Sequence, residues 1–386
     1  MFREKIQRLW KSKKLLLIVL AISNLLVFYW LYGFHPNNDT DSFILTIKFF
    51  RGLDTPYVDP IRYLNPFYPL LAGKVLYFLS PAQALISLNI VFYFIIIVTT
   101  FSLILRVYKN QTIAFIATLL VIPHYALIRY ALTQVQDMGG YFWFVLTLYA
   151  VWRWWERKQS PWLYLGSIAV AFGMLTKESG SMGALFAGML FLFDKVPAKE
   201  KVVYFTKFSI FPLLVLFVNQ MRGHDLQFNS FDLLKYSWTY YGAENYTFIR
   251  WLGVNTTTYN VIWVAFFIGL YYFIKNFKQL SREIKLFQLA IIPSSLTYFI
   301  WPVFIARTVV ISAWFILPMA AYGLYAICQR YPRAHSAAVG YVLVAICTPY
   351  LLQGALGYVH VFSIIDNCHI KPSCIWQTFY KKRMTL

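Results

Sequence analysis

"AQALISLNIVFYFIIIVTTFSLIL", residues 82–105, contains no charged residue. As an α-helix it would be about 36 Å long at a rise of about 1.5 Å per residue. The hydrocarbon core of a bilayer is about 30 Å thick, so the stretch is long enough to cross it. Comparable apolar runs recur at about 15–33, 112–129, 138–155, 162–176, 180–193, 202–220, 257–275, 286–305, 308–327 and 337–357. Hydrophobic residues make up 59% of the 386 and charged residues 13%. A water-soluble core does not need that many apolar runs. The pattern predicts an all-α membrane protein of about 11 transmembrane helices. Residues 1–386 are read as a single integral membrane domain.

The formal net charge is +20. In a membrane protein this reads as basic loops facing the cytoplasm and anionic lipid. The basic residues form no stripe with interleaved aromatics, so no nucleic-acid partner is expected. The start, "MFREKIQRLWKSKK", is basic and precedes the run Leu15–Tyr32. A signal peptide begins the same way, but this run is long and no small-x-small cleavage site follows it. It is read as a retained first span with a cytoplasmic N-terminus. Eleven spans from that start place "RVYKN", "RWWERK", "DKVPAKEK", "KNFKQLSREIK" and "CQRYPRAHS" inside. Of the 35 Lys and Arg, 21 then lie inside, whereas ten of the fifteen acids lie outside. The basic bias agrees with the orientation.

Two outside segments are long. Residues 34–81 form a first extracytoplasmic loop that carries four aspartates and then "RYLNPFYPLLAGKVLYFL". That stretch is too broken to span and reads as a helix lying in the interface. Residues 221–256 form a second loop, with Trp238, Tyr240, Tyr241, Tyr246 and Trp251 as either a cap over a site or an aromatic belt. The tail 358–386 is expected outside. Its Cys368 and Cys374 leave a disulfide, free thiols or, with His369, a metal site as alternatives. Cys328 and Cys347 fall in or beside spans and read as packing residues.

Four places could carry chemistry. "HPNNDTDSF" at 35–43 holds Asp39 and Asp41, which by composition alone suit a wet turn. In "ALTQVQDMGGYF", Asp137 stands where it could cap the following helix. His124 and Arg129 lie upstream, and His124, after Pro123, reads as a packed histidine. "GMLTKESGSMG" at 173–183 holds Lys177 and Glu178 in a tight turn. Ionisable groups at that depth are costly, which favours function over a self-satisfied pair. Arg307 opens a span in "FIARTVVISAWFILPMAAYGL", either snorkelling to headgroups or clamping a phosphate. All four map to the outer end of the expected bundle. Carboxylates and cations together at a lipid–water boundary describe a site for an anionic lipid headgroup.

These stretches resemble the GT-C superfamily of polytopic glycosyltransferases, which includes protein O-mannosyltransferases and lipid A aminoarabinose transferases. The resemblance runs over residues 15–325 through "DTDSFILTIKFFRG", "RYLNPFYPLLAGKVLYFLSP", "TQVQDMGGYFWFVLTLYAVWRWW", "SIAVAFGMLTKESG" and "ARTVVISAWFILPMAAYGLY". The "LTKE" at 175–178 is the most characteristic part. The family's early acid is often followed by Glu and its later stretch often has Pro-Pro; here Thr40 follows Asp39, and Asn65 precedes Pro66. Counted from Phe43 and Gly52, Asp39 fits the family position better than Asp41.

The resemblance implies a GT-C-like fold and a polyprenyl-phosphate-linked sugar as donor. The acceptor would be a lipid, glycan or protein. The active site would lie on the extracytoplasmic face of a bacterial or archaeal plasma membrane. A glycosyl phosphate already carries a good leaving group. The reaction then needs one carboxylate to take the acceptor proton and cations to hold the departing phosphate. Asp39 or Asp41 would be the base. Lys177, Arg307 and either Arg129 or Arg62 would hold the phosphate. Asp137 and Glu178 would orient those cations or bind sugar or acceptor. A single displacement inverts the anomeric carbon, unlike the double displacement of a retaining glycosidase. No cofactor is expected; a divalent metal is left open, although no acid cluster has a metal-specific spacing.

Two rivals predict different patterns. A transporter or lipid flippase would pair acids with cations near the mid-membrane in both halves. A non-catalytic membrane assembly protein would not need Asp39 or Asp41. Asn38, Asn245 and Asn255 begin N-x-Ser/Thr triplets, which matter only in a glycosylating compartment. The short tail favours a lipid or glycan acceptor over a folded protein.

Overall fold

The structure is a computed structural model. It describes residues 2–34, 39–55, 62, 65–226, 254–255, 258–300 and 306–356. Asp59, Asn38, Asn245, most of the 221–256 loop with its aromatics, and the 358–386 tail with Cys368 and Cys374 lie outside the described residues.

Among the described residues the regular structure is helical throughout. The first helix, α1, is Phe2–Tyr32, followed by α2, Thr40–Phe50, and α3, Phe67–Lys74. Then come α4, Pro81–Tyr108, α5, Gln111–Val121, α6, Tyr125–Ala131, and α7, Asp137–Arg157. Next are α8, Ser160–Met174, α9, Glu178–Ser181, α10, Gly183–Phe193, and α11, Ala198–Leu226. After the second loop lie α12, Ile262–Lys275, and α13, Arg282–Ile300. The last are α14, Ala306–Val309, which a 3-10 turn joins to α15, Ala313–Arg330, and α16, His335–Leu356.

Each apolar run read from the sequence falls largely on helix. Among the described residues, four helices are long and apolar enough to cross a membrane: Lys13–Leu31, Pro81–Tyr108, Ala198–Met221 and Arg307–Arg330. The bent pair α5–α6 makes a fifth if it counts as one span. The shorter apolar helices, Ser160–Met174, Glu178–Phe193 and Ile262–Lys275, reach at most about 24 Å at about 1.5 Å per residue. That is less than a core of about 30 Å, so length alone does not make them spans.

The ends of the long helices follow local rules. At the start of α4, the Ser80 hydroxyl accepts from the Gln83 backbone N–H and Gln83 Oε1 accepts from the Ser80 N–H, with Pro81 in the first turn. Asn110 Oδ1 accepts from the N–H groups of Thr112 and Ile113 to start α5. The segment read as one span at 112–129 is two helices, bent by 59°. Pro123 lies in the break, where its missing N–H and fixed φ end a helix.

The first loop also differs from its reading. The residues after Asp39 form α2, which buries Phe43, Thr46 and Ile47 at helical spacing. Of the stretch read as one interfacial helix, Phe67–Lys74 is helix, whereas 65–66 and 75–79 are not. Its first N–H, that of Phe67, is donated to Leu175 O at 3.0 Å, just past the end of α8. Arg51 fastens α2 to α3 by donating to the carbonyls of Ala72 and Leu76. Aromatic rings then pack α3, α4, α7 and α8 together: Phe67 against Phe172 and Trp143, and Phe92 stacked on Phe142. Elsewhere α12 and α15 pack backbone to backbone, since a Cβ on Gly269 would stand 2.0 Å from Met319 O.

Candidate active site

The site is assembled from the chain ends of α7 and α8 and from the loop after α1. Helix α7 begins at Asp137, which is 3% exposed and stands in the first turn, where the helix dipole favours a carboxylate. Lys177 follows α8 in extended conformation and directs its ammonium to Asp137 and Glu178, at 3.8 Å from each. Glycines make this approach possible. A Cβ on Gly140 would stand 2.3 Å from Ser179 Oγ and 2.9 Å from Lys177 Cβ. One on Gly173 would meet the Gly180 carbonyl carbon at 2.5 Å. The "LTKESG" turn is therefore held against α7 by the absence of side chains, not by hydrogen bonds between them.

Asp39 immediately precedes α2, but its side chain caps no backbone N–H. It turns instead to two guanidinium groups, Arg62 Nη2 and Arg307 Nη1, each at 3.4 Å. Arg62 is buried and lies over the Phe43 ring at 4.1 Å, so α2 positions both members of the pair. Arg307 is brought to the same place by α7: the Tyr141 hydroxyl donates to its backbone carbonyl at 2.8 Å. Burial by itself would raise the Asp39 carboxyl. The charges of Arg62, Arg307 and Lys177 outweigh it and hold the group below the usual carboxylate range. Lys177 thus acts on Asp39 through space, which joins the two halves of the cluster.

Of the residues singled out from sequence, the structure gathers Asp39, Arg62, Asp137, Lys177, Glu178 and Arg307. Asp41 is exposed on the first turn of α2. Arg129 does not join the carboxylates among the described residues; it donates to the Tyr125 hydroxyl at 2.9 Å. His124 is buried and packs on the Tyr259 ring, as a packed histidine would, but both its nitrogens lack a hydrogen-bond partner among the described residues. Asn255 is also buried.

The supports were missed in the sequence reading. Under the site the Tyr68 hydroxyl bonds Asn89 Oδ1, and Asn89 Nδ2 donates to the carbonyls of Thr133 and Val135 at 2.7 and 2.9 Å. This network fixes the strand of chain that leads into Asp137. A lone Asn inside "LISLNIVFYF" was the available signal, because a polar side chain in an apolar run needs internal partners. Gln136 and Ser179 flank Asp137 and Glu178 in sequence. Their buried side-chain polar atoms have no partner among the described residues.

The chain matches no family model and no curated protein. The chemical reading therefore rests on the residues themselves. The cluster can hold a multiply charged anion on its cations. It also presents one carboxylate that stays ionised at neutral pH. Among the described residues no three metal-ligating side chains converge.

Proposed function

We propose that the protein is an integral membrane glycosyltransferase of GT-C type. It moves a sugar from a polyprenyl-phosphate carrier to a lipid, glycan or protein acceptor. The observation that carries this reading is Asp39, held at 3.4 Å from both Arg62 and Arg307 and within the field of Lys177. A base and a phosphate clamp are the two things the reaction needs, and here they share one cluster drawn from four distant segments.

In this reading the donor phosphate displaces Asp39 from its arginines. Arg62, Arg307 and Lys177 then carry the charge that develops on the leaving phosphate. Asp39, released, accepts the proton of the acceptor hydroxyl as it attacks the anomeric carbon. Attack opposite the phosphate inverts configuration. Asp137 and Glu178 hold Lys177 in place. Gln136 and Ser179, whose buried side-chain polar atoms lack partners among the described residues, supply hydrogen bonds to the hydroxyls of a sugar. The eleven apolar segments cross the membrane, the N-terminus is cytoplasmic, and the cluster faces the extracytoplasmic side, with α3 at the interface. The test uses purified full-length protein with a panel of polyprenyl-phosphate sugars. Transfer that Asp39→Asn abolishes and Asp41→Asn leaves in place is expected. Transfer undiminished in Asp39→Asn overturns the assignment of the base.

One observation favours transport instead. The bent pair α5–α6 is an interrupted apolar helix, a feature that lines substrate paths in transporters. Counterflow of the same lipid across proteoliposomes without sugar transfer would support that reading.

A further inference from the structure

Helix α7 runs 21 residues, from Asp137 to Arg157, and polar groups fare differently at its two ends. At the far end a cavity of about 440 Å³ is lined by charged side chains that pair with one another. Lys109 pairs there with Glu283, and Lys158 and Arg282 pair with Asp194. At the start of the helix several polar groups are left over.

They follow one face of α7. Gln136, Gly140 and Trp143 stand at i, i+4 and i+7, so they line up along one side. Ser179 completes the row, because a Cβ on Gly140 would stand 2.3 Å from its Oγ. Gln136 is 0% exposed, yet neither its Oε1 nor its Nε2 has a partner among the described residues. The same holds for Ser179 Oγ and Trp143 Nε1. Each buried polar atom left unsatisfied costs about 1–3 kcal/mol. Four along one stripe are a cost that a ligand with matching groups removes.

The surroundings of the row narrow what that ligand is. A Cβ on Gly140 would also stand 2.9 Å from the Cβ of Lys177, the cation assigned above to the donor phosphate. A group bound along the row is therefore carried close to that phosphate, on the sugar. Toward Trp143 the row turns apolar: its ring lies 5.6 Å from that of Phe67 and 5.2 Å from that of Phe172. The row thus offers an acceptor in Gln136 Oε1. It offers donors in Gln136 Nε2, the Ser179 hydroxyl and the Trp143 indole N–H, beside an aromatic floor. A substituent with an N–H, a carbonyl and a methyl group matches that set. A sugar hydroxyl would leave the aromatic end uncovered, and a free amino group would set a second ammonium beside Lys177.

We propose that this row is a subsite for an acylamino substituent, so that the donor sugar is an N-acyl amino sugar. Gln136 Oε1 accepts from the amide N–H, Ser179 and Trp143 donate to its carbonyl oxygen, and the acyl methyl lies on the aromatic rings. The turn that carries Lys177 and Ser179 rests on α7 through glycines and lifts to admit the sugar. The inference rests on the reading of the site as one for polyprenyl-phosphate sugars. Native mass spectrometry of the full-length protein without acceptor tests it. The probes are one polyprenyl phosphate bearing N-acetylglucosamine and the same carrier bearing glucose. The N-acetylglucosamine carrier is expected to bind about tenfold tighter, which is about 1.4 kcal/mol. Gln136→Leu and Ser179→Ala should each reduce that preference to about twofold or less. Retained binding of the glucose carrier shows that each variant is folded. Equal binding of the two carriers, or a preference that survives both substitutions, overturns the acylamino subsite and leaves the glycosyl-transfer reading standing. Binding of neither carrier overturns that reading and this inference with it.

Discussion

The two ends of α7 both gather acids and bases, yet they are built differently. At the far end the pairs are mostly close: Lys109 to Glu283 at 2.5 Å, Arg153 to Glu156 at 3.0 Å and Arg106 to Glu156 at 3.1 Å. They bridge the ends of α4, α7, α10 and α13, and so fasten loop to loop. At the Asp39 end the four pairs among the described residues stand off, at 3.4 Å to Arg62 and Arg307 and 3.8 Å around Lys177. Most far-end pairs close to contact, where each residual gap would forfeit Coulomb energy already reduced by desolvation; Asp194–Arg282, at 3.9 Å, is the exception. Charges that must exchange partners during a reaction do better at a distance a ligand can enter.

Four measurements would break or sharpen that contrast. The largest effect is expected from Asp39→Asn, which should lower sugar transfer about 10³-fold, the scale of a lost general base. Asp41→Asn, at an exposed position, should stay near wild type. Equal losses in the two would remove the distinction between a carboxylate held by two arginines and one that is exposed. Next, Gly140→Ala pushes a methyl group against Lys177 and Ser179. Displacement of a positioning group by about 1 Å costs about 10²-fold, read as kcat/KM for the donor in protein that remains folded, since the overpacking also costs about 1–3 kcal/mol of stability.

At the other end, Asp194→Asn should act on stability and not on transfer. Asp194 is 6% exposed and serves Lys158 and Arg282, whose side chains are 41% and 50% exposed. Breaking a fully buried pair costs about 3–5 kcal/mol, and partial exposure of the cations reduces this to about 1–2 kcal/mol. A chemical-denaturation series in detergent checks it; a collapse of transfer without a stability loss would blur the two ends.

The smallest effect is a pH shift in Arg62→Gln. In the intact protein the cations keep Asp39 ionised below the usual carboxylate range. Transfer should therefore fail on acidification only as pH drops through that depressed value. Removing Arg62 leaves the effect of burial less opposed, so the carboxyl rises and the acid limb of kcat/KM moves to higher pH. A limb that stays put, or moves down, would show that Arg62 does not set the charge of Asp39.

Several elements were legible in the sequence for plain reasons. An uncharged run such as 82–105 can satisfy its backbone only as helix in an apolar setting, so composition alone predicts it. "LTKE" between small residues marked a charged turn, since Lys and Glu beside apolar runs are costly, and Lys177 there meets Asp137 and Glu178. Asp137 before a Gly pair marked a helix start. Other features were hidden. Helix α2 was hidden in the stretch read as a loop, because the Asn and Asp residues at its start favour turns locally, while its four buried positions reveal themselves only once the neighbouring helices are in place. The break at Pro123 was passed over because both flanks are apolar. Arg129 was grouped with the phosphate clamp by its place at a span end; among the described residues it donates to the Tyr125 hydroxyl.

The sequence by itself determined helix, the abundance of lipid-compatible surface and the residue types able to hold an anion. These depend on local propensity and transfer free energy, which are properties of short segments. Only the tertiary structure decided which of two aspartates two residues apart faces the cations. That choice turns on the rotation of α2 when Phe43 and Ile47 are buried, which places Asp39 toward Arg62 and Arg307 and Asp41 toward the surface. The distances within the charge pairs at both ends of α7 were also settled there, because they arise from the packing of segments far apart in the chain.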